Sequence, residues 1–343
     1  MLNRLDNIPD GLLSCEAKQL HYFLGGPTLI DLPGRRKAPL FVSVLMHGNE
    51  TSGWDAAREL LRTVYTTEIE QRPRSLMLFI ANTEAAKHNV RHLPDQPDYN
   101  RVWPGSELES SPEHHLMSRL TEELSNRDLF ASVDIHNNTG LNPHYACVNN
   151  LDSPTLKLAT LFSRTVVYFT RPTGVQSLAM SKLCPAVTLE CGKVEHEYGS
   201  QHALSYLNAC VHLEELPDTP VPPHDIDLFH TTATVTIPEG VRFGFSGEDL
   251  DLLLPSELER YNFRELAVDT QFASSPTRAT NLLQVSSEAG EAVFEDYFRI
   301  ESGVIKTQKR VMPSMLTKNL DVIRQDCLCY LMERYSLSTD KQP

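Results

Sequence analysis

Short apolar runs alternate with stretches of helical periodicity over the first two thirds of the chain. Residues 40–46 (LFVSVLM) read as a buried strand, as do 76–81 (LMLFIA) and 129–135 (LFASVDI). Residues 165–169 are β-branched and aromatic, and 185–189 (PAVTL) form one more short strand pattern. Between them, residues 53–65 place Trp54, Ala57, Leu60, Leu61 and Val64 at helical spacing, and 112–124, 153–163 and 201–216 suit helices. Strands separated by helices predict an α/β fold: a mixed, mostly parallel sheet with helices on both faces. Residues 216–223 (LPDTPVPP) hold four prolines, which cannot continue a helix and suit a linker. Beyond them, 231–237, 281–286 and 292–300 look extended and are punctuated by glycine. The expected division is therefore a catalytic domain over residues 1–218 and a smaller β-rich C-terminal domain over 219–343.

A length of 343 residues agrees with two domains. A formal charge of −14, with no run of basic residues, argues against a nucleic-acid partner. The first twenty residues lack an apolar signal core, and no apolar run approaches the roughly 20 residues that span a bilayer. Seven cysteines, an odd number, point with these features to reduced thiols in the cytoplasm and no membrane partner.

Chemistry gathers where the strand patterns end. Met46-His47-Gly48-Asn49-Glu50 follows the first strand, and a His and a Glu three apart can ligate one metal. With 13 histidines that spacing arises by chance, and His212 and Glu215 repeat it inside a helical pattern. Context separates the two, because open α/β sheets bind ligands at the carboxyl ends of their strands. Asp134-Ile135-His136 ends another strand, with Asp134 and His136 on one face. His136 is either a third ligand oriented by Asp134 or half of a self-satisfied buried pair. Arg91 precedes Asp98-Tyr99-Asn100-Arg101 in a polar loop, where an Asn beside an Arg makes a carboxylate clamp or a solvated surface. Glu190 closes an apolar strand, which is costly without a partner; a water at a metal would serve. His88, His92, His114, His115, His196 and His202 are expected in surface or core roles.

The order His-Gly-Asn-Glu, Asn-Arg, Asp-Ile-His and Glu-x-Gly resembles the succinylglutamate desuccinylase/aspartoacylase family of the zinc carboxypeptidase superfamily. The likeness runs from about residue 40 to 200, and the linker and β-rich tail match that family's two-domain layout. It implies one Zn²⁺ per chain on His47, Glu50 and His136, with Glu190 as general base and acid. It further implies that Arg91 polarises the scissile carbonyl and that Asn100 and Arg101 hold a substrate carboxylate. Aspartoacylases carry an arginine shortly before the catalytic Glu; between Arg171 and Glu190 this chain has only Lys182. Lys182 is therefore the expected grip on a second acid, and Tyr297 the candidate substrate contact from the C-terminal domain. The implied activity is hydrolysis of the amide bond of a small acidic N-acyl amino acid, N-succinylglutamate-like or another N-acyl amino acid in preference to N-acetylaspartate. The rival readings are a zinc carboxypeptidase acting on a peptide or cell-wall fragment, a binding protein with a spent site, and a cysteine hydrolase using Cys191 or Cys184. The oligomeric state stays open, a homo-oligomer included.

Overall fold

The computed structural model describes residues 1–194, 196–247, 249–277 and 279–337. It divides into two compact units, Met1–Asn137 with His144–Asp227, and Asn138–Pro143 with Leu228–Pro343. The division thus differs from the 218/219 boundary: it falls at Asp227, past the proline-rich stretch, and residues 138–143 side with the second unit.

The strands of the first unit are β1 (Asn3–Leu5), β2 (Thr28–Leu32), β3 (Arg36–Val44), β4 (Arg74–Ile80), β5 (Ala131–His136), β6 (Tyr145–Val148), β7 (Thr165–Tyr168) and β8 (Ala186–Glu190). Their order in the sheet is β1-β2-β4-β3-β5-β8-β6-β7. The centre, β4-β3-β5-β8, is parallel throughout, while β2 and β6 join it antiparallel. Every residue of β4, β5 and β8 is buried, so these strands do not alternate between a core face and a solvent face, and the polar residues they carry, such as Asp134, His136 and Glu190, are buried with the rest.

The helices of this unit are α1 (Leu20–Leu24), α2 (Ser52–Leu60), α3 (Thr83–His88), α4 (Pro112–Ser125), α5 (Ser153–Thr160), α6 (Gln176–Met180) and α7 (Glu197–His212). Their starts obey capping chemistry. Ser111 accepts from the Glu113 and His114 amides ahead of Pro112, and Asp152 accepts from Thr155 N–H. One sheet face packs Phe41, Met77 and Phe79 against Met117 and Leu120 of α4 and Ala179 and Met180 of α6. On the other face Gly53 of α2 lies against Val44 and Ile135, close enough that a side chain there would crowd both. Helices therefore cover both faces, as expected. Among the described residues no helix is long and apolar enough to cross a membrane.

The second unit pairs Asp227–Thr236 antiparallel with Cys329–Arg334 and with Gln284–Ser287. A separate small sheet, mainly antiparallel, includes Gln271–Ser274, Phe298–Glu301 and Val304–Thr307. Its core gathers Phe272, Phe298, Leu252, Ile305 and Leu331. The expected extended run at 292–300 begins instead with a helical turn, Phe294–Tyr297, before the strand. Residues 138–143 belong here because Asn262 Nδ2 bonds Leu141 O and Asn142 Oδ1 accepts from Met315 N–H.

Candidate metal centre

The parallel strands deliver their last residues to one edge of the sheet. After β3 the backbone turns through Leu45, a buried residue held at φ 58, in the left-handed region that non-glycine residues seldom occupy. That kink carries the chain off the sheet into His47-Gly48-Asn49-Glu50. The turn sits on α3 so closely that a Cβ at Gly48 would lie 2.2 Å from the backbone of Ala85 and Ala86. Only glycine fits there. β5 contributes Asp134 and His136, and β8 contributes Glu190, registered directly beside His136 and hence on the same face.

His47, Glu50 and His136 are buried, and their donor atoms lie within 4.8 Å of one another, a group able to hold a metal ion. Both imidazoles turn Nδ1 inward: His47 Nδ1 is 2.8 Å from Glu50 Oε1, and His136 Nδ1 is 2.8 Å from Glu50 Oε2. Both Nε2 atoms face carboxylates behind them. His47 Nε2 is 3.0 Å from Asp98 Oδ1, and His136 Nε2 is 2.8 Å from Asp134 Oδ2. A carboxylate that accepts the Nε2–H hydrogen bond keeps the proton on that nitrogen and leaves the Nδ1 lone pair for a metal, so the two aspartates select the ligating tautomer. Ser43 Oγ in turn donates to Asp134 at 2.7 Å. The sequence signal for Asp134 was its place two residues before His136. Asp98 was visible only as the first letter of Asp-Tyr-Asn-Arg and carried no expected role.

Charge decides the protonation state without a metal. Burial, then Arg91, oppose a proton on His47, yet Asp98 and Glu50 outweigh them and its pKa is raised. His136 is raised well above its ordinary value: burial opposes, but Asp134 and Glu50 win. Glu50 is lowered, since the two imidazoles overcome its burial, and Asp98 is held well below its usual range because Arg91 and His47 overcome its own. Two buried imidazoles bracketing one carboxylate are a set that a divalent cation satisfies: its charge replaces the protons between the same donors.

The remaining expected residues divide. Arg91 grips Asp98 through Nε at 3.0 Å and through its second terminal nitrogen at 2.8 Å, and so stands behind His47. The Asn100 amide is turned inward, with Nδ2 3.2 Å from His136 Nε2 and Oδ1 accepting from Gln176 N–H at 2.9 Å. Arg101 beside it is half-buried, and its backbone carbonyl meets Gly174 so closely that a Cβ there would sit 2.3 Å away. Lys182 does not join the cluster. It is exposed and precedes β8, whereas Glu190 ends that strand, about 13 Å from its first residue at 3.3 Å per residue. The sequence placed it close to Glu190 only by counting residues, and the strand between carries it to the opposite edge. Tyr297 spends its hydroxyl inside the second unit, on Thr232 Oγ1 at 3.0 Å, with Lys309 over its ring. His114 serves the start of α4, and His202 Nε2 donates to Phe162 O.

The thiols are poor nucleophiles. Burial, then the charges of Glu190 and Glu50, drive Cys191 well above its ordinary pKa, and burial pushes Cys184 up to about 12. Neither supplies a thiolate near neutrality, which removes the support for a cysteine hydrolase.

Comparison with known proteins agrees with this architecture. Residues 39–213, slightly more than half of the chain, match the succinylglutamate desuccinylase/aspartoacylase catalytic domain. Among solved structures, succinylglutamate desuccinylase from Chromobacterium violaceum superposes with a TM-score of 0.58 at 16% identity, over 90% of this chain and 89% of that one. Murine aminoacylase 3 gives 0.55 at 15% identity, over 88% and 96%, and an aspartoacylase family protein from Mesorhizobium loti gives 0.53 at 12%, over 90% and 89%. At such identities the likeness speaks to the fold. No curated protein matches the chain. The matched region spans all three donors of the metal centre, Asp98 and Glu190, and the chain belongs to the succinylglutamate desuccinylase/aspartoacylase family, whose members hydrolyse N-acyl amino acids.

Proposed function

We propose that the chain is a zinc-dependent amidohydrolase acting on a small N-acyl amino acid, with His47, Glu50 and His136 as the metal ligands. The observation that carries this reading is the buried donor triad in which both Nε2 atoms rest on carboxylates. Two imidazoles and one carboxylate are the donor set of hydrolytic zinc, which leaves a coordination position open. When bound, zinc polarises a carbonyl and yields a nucleophile from water near neutral pH.

The chain's own residues do the rest. Glu190, one strand over from His136 and on the same face, takes the proton from the attacking water and returns it to the leaving amine. Arg91 pins Asp98 behind His47 and so orients that ligand, and by the family resemblance its charge also stabilises the oxyanion of the tetrahedral intermediate. Arg101 holds the α-carboxylate of the amino-acid half by a charge-assisted contact. Asn100 accepts from Gln176 N–H and so fixes the loop that carries Arg101, rather than sharing the carboxylate. With Lys182 remote, a second acid on the substrate falls to Lys193, half-buried three residues beyond Glu190. A lysine suits a longer acidic group, which favours N-succinylglutamate-like substrates over N-acetylaspartate.

The test is a kcat/KM comparison of N-acetyl and N-succinyl amino acids on zinc-loaded protein. Metal-dependent release of the free amino acid is expected, best with the longer acids. Absence of turnover across the set at full zinc loading would defeat the hydrolase reading. N-acetylaspartate as the best substrate would defeat only the specificity.

A further inference from the structure

Asn137 directly follows His136 at the end of β5 and is buried. Its backbone N–H donates to Glu50 Oε2 at 3.0 Å, the same oxygen that faces His136. Its side chain is used at both ends. Oδ1 accepts from Ser52 N–H at 3.2 Å, while Nδ2 donates to Ser52 Oγ and to Gly192 O, each at 2.9 Å. The partners dictate that orientation: an amide N–H needs an oxygen opposite it, and a carbonyl needs a donor.

Two pieces of chain distant in sequence meet on this one residue. Ser52 opens α2 two residues after Glu50. Gly192 lies two residues after Glu190 in a segment already pinned by Cys191 N–H to His136 O at 2.9 Å. Gly192 is held at φ +70 with the His144 ring beside it, so that a Cβ would stand 3.1 Å from His144 Nε2. His144 is itself fixed. His202 Nε2 donates to Phe162 O, which leaves His202 Nδ1 to accept from His144 Nδ1 at 3.0 Å.

We propose that Asn137 is a positioning residue that fixes the separation between the ligand Glu50 and the segment carrying Glu190, which rests on the reading of Glu190 as the base. The two carboxylates leave different strands, and no direct bond need join them if one amide ties both flanks. A base and the water it activates must keep their geometry within a fraction of an ångström, and a shift of about 1 Å costs roughly 10²-fold. Aspartate at 137 would present an oxygen to Gly192 O and lose that tie; alanine loses every side-chain tie but keeps the backbone bond to Glu50.

The experiment is a double-mutant cycle of Asn137→Ala with Glu190→Gln, read on the zinc-loaded full chain with N-succinylglutamate and N-acetyl amino acids. Asn137→Ala should retain about one zinc per chain and leave KM within a few-fold while kcat falls about 10- to 100-fold. On the Glu190→Gln background it should add little, because both changes disable the same step. Zinc content, measured alongside, is the readout independent of turnover. An undiminished kcat overturns the proposal, as does a loss accompanied by zinc loss or one repeated in full on the Glu190→Gln background. If Asn137→Ala does not fold, Asn137→Ser takes its place, and failure of both marks the residue as purely structural. Near-normal turnover by Glu190→Gln alone would instead strike the base assignment.

Discussion

The chain contains the His-x-x-Glu spacing twice, and the two copies could hardly live more differently. His47 and Glu50 follow a buried parallel strand and face a third donor, with Asp98 behind the imidazole. His212 ends α7 in solvent, its Nδ1 donating to Asn208 O one turn back, and Glu215 is exposed just beyond the helix. Spacing alone is common to both. What separates a site from a surface is burial, a third ligand from a distant strand, and a carboxylate that selects the tautomer.

The sharpest way to break that comparison is to delete each histidine. His47→Ala and His136→Ala should each reduce zinc from about one per chain to close to none, by elemental analysis, while His212→Ala keeps it. An emptied site in His212→Ala with a full one in His47→Ala would invert the assignment. Glu190→Gln should come next: zinc and fold retained, kcat lower by roughly 10²-fold or more. Arg101→Ala removes a charge-assisted contact shared by ground and transition states, so KM should rise about 10-fold for every carboxylate substrate with kcat little changed. The smallest effect is expected from the two lysines. Lys193→Ala should weaken only substrates with a second acid, and Lys182→Ala should leave kcat/KM within about twofold, as for surface changes remote from a site. A larger loss in Lys182→Ala than in Lys193→Ala would reverse their placement.

Much of this was legible because buried parallel strands announce themselves. Leu76 to Ile80 is apolar at every position, and the ligands stand at the ends of such runs. The antiparallel strands β2 and β6 were not read, being short and carrying Asp31 or flanked by turn residues. The turn at Phe294–Tyr297 escaped because four residues give no period to count. Within the site, residue type and strand end pointed to the donors, but side-chain direction did not follow. Asn100 and Arg101 are adjacent, yet the Asn100 amide oxygen is taken up by Gln176 N–H. Lys182 shows the complementary error, in which nearness along the chain was taken for nearness in space.

The proposed metal ligands follow β3 and end β5, two strands whose pairing closes a long loop: Glu50 and His136 lie 86 residues apart in sequence. In an unfolded chain the pair His47 and Glu50 offers the same two donors as His212 and Glu215, without the third donor of the folded site. Tight capture therefore waits until β3 and β5 have paired, which makes loading a late event in biogenesis rather than a seed for it. From then on, each bound ion draws the equilibrium toward the finished sheet in proportion to its affinity. On the proposed zinc binding, stripping the ion should lower the Tm of the protein as well as its activity.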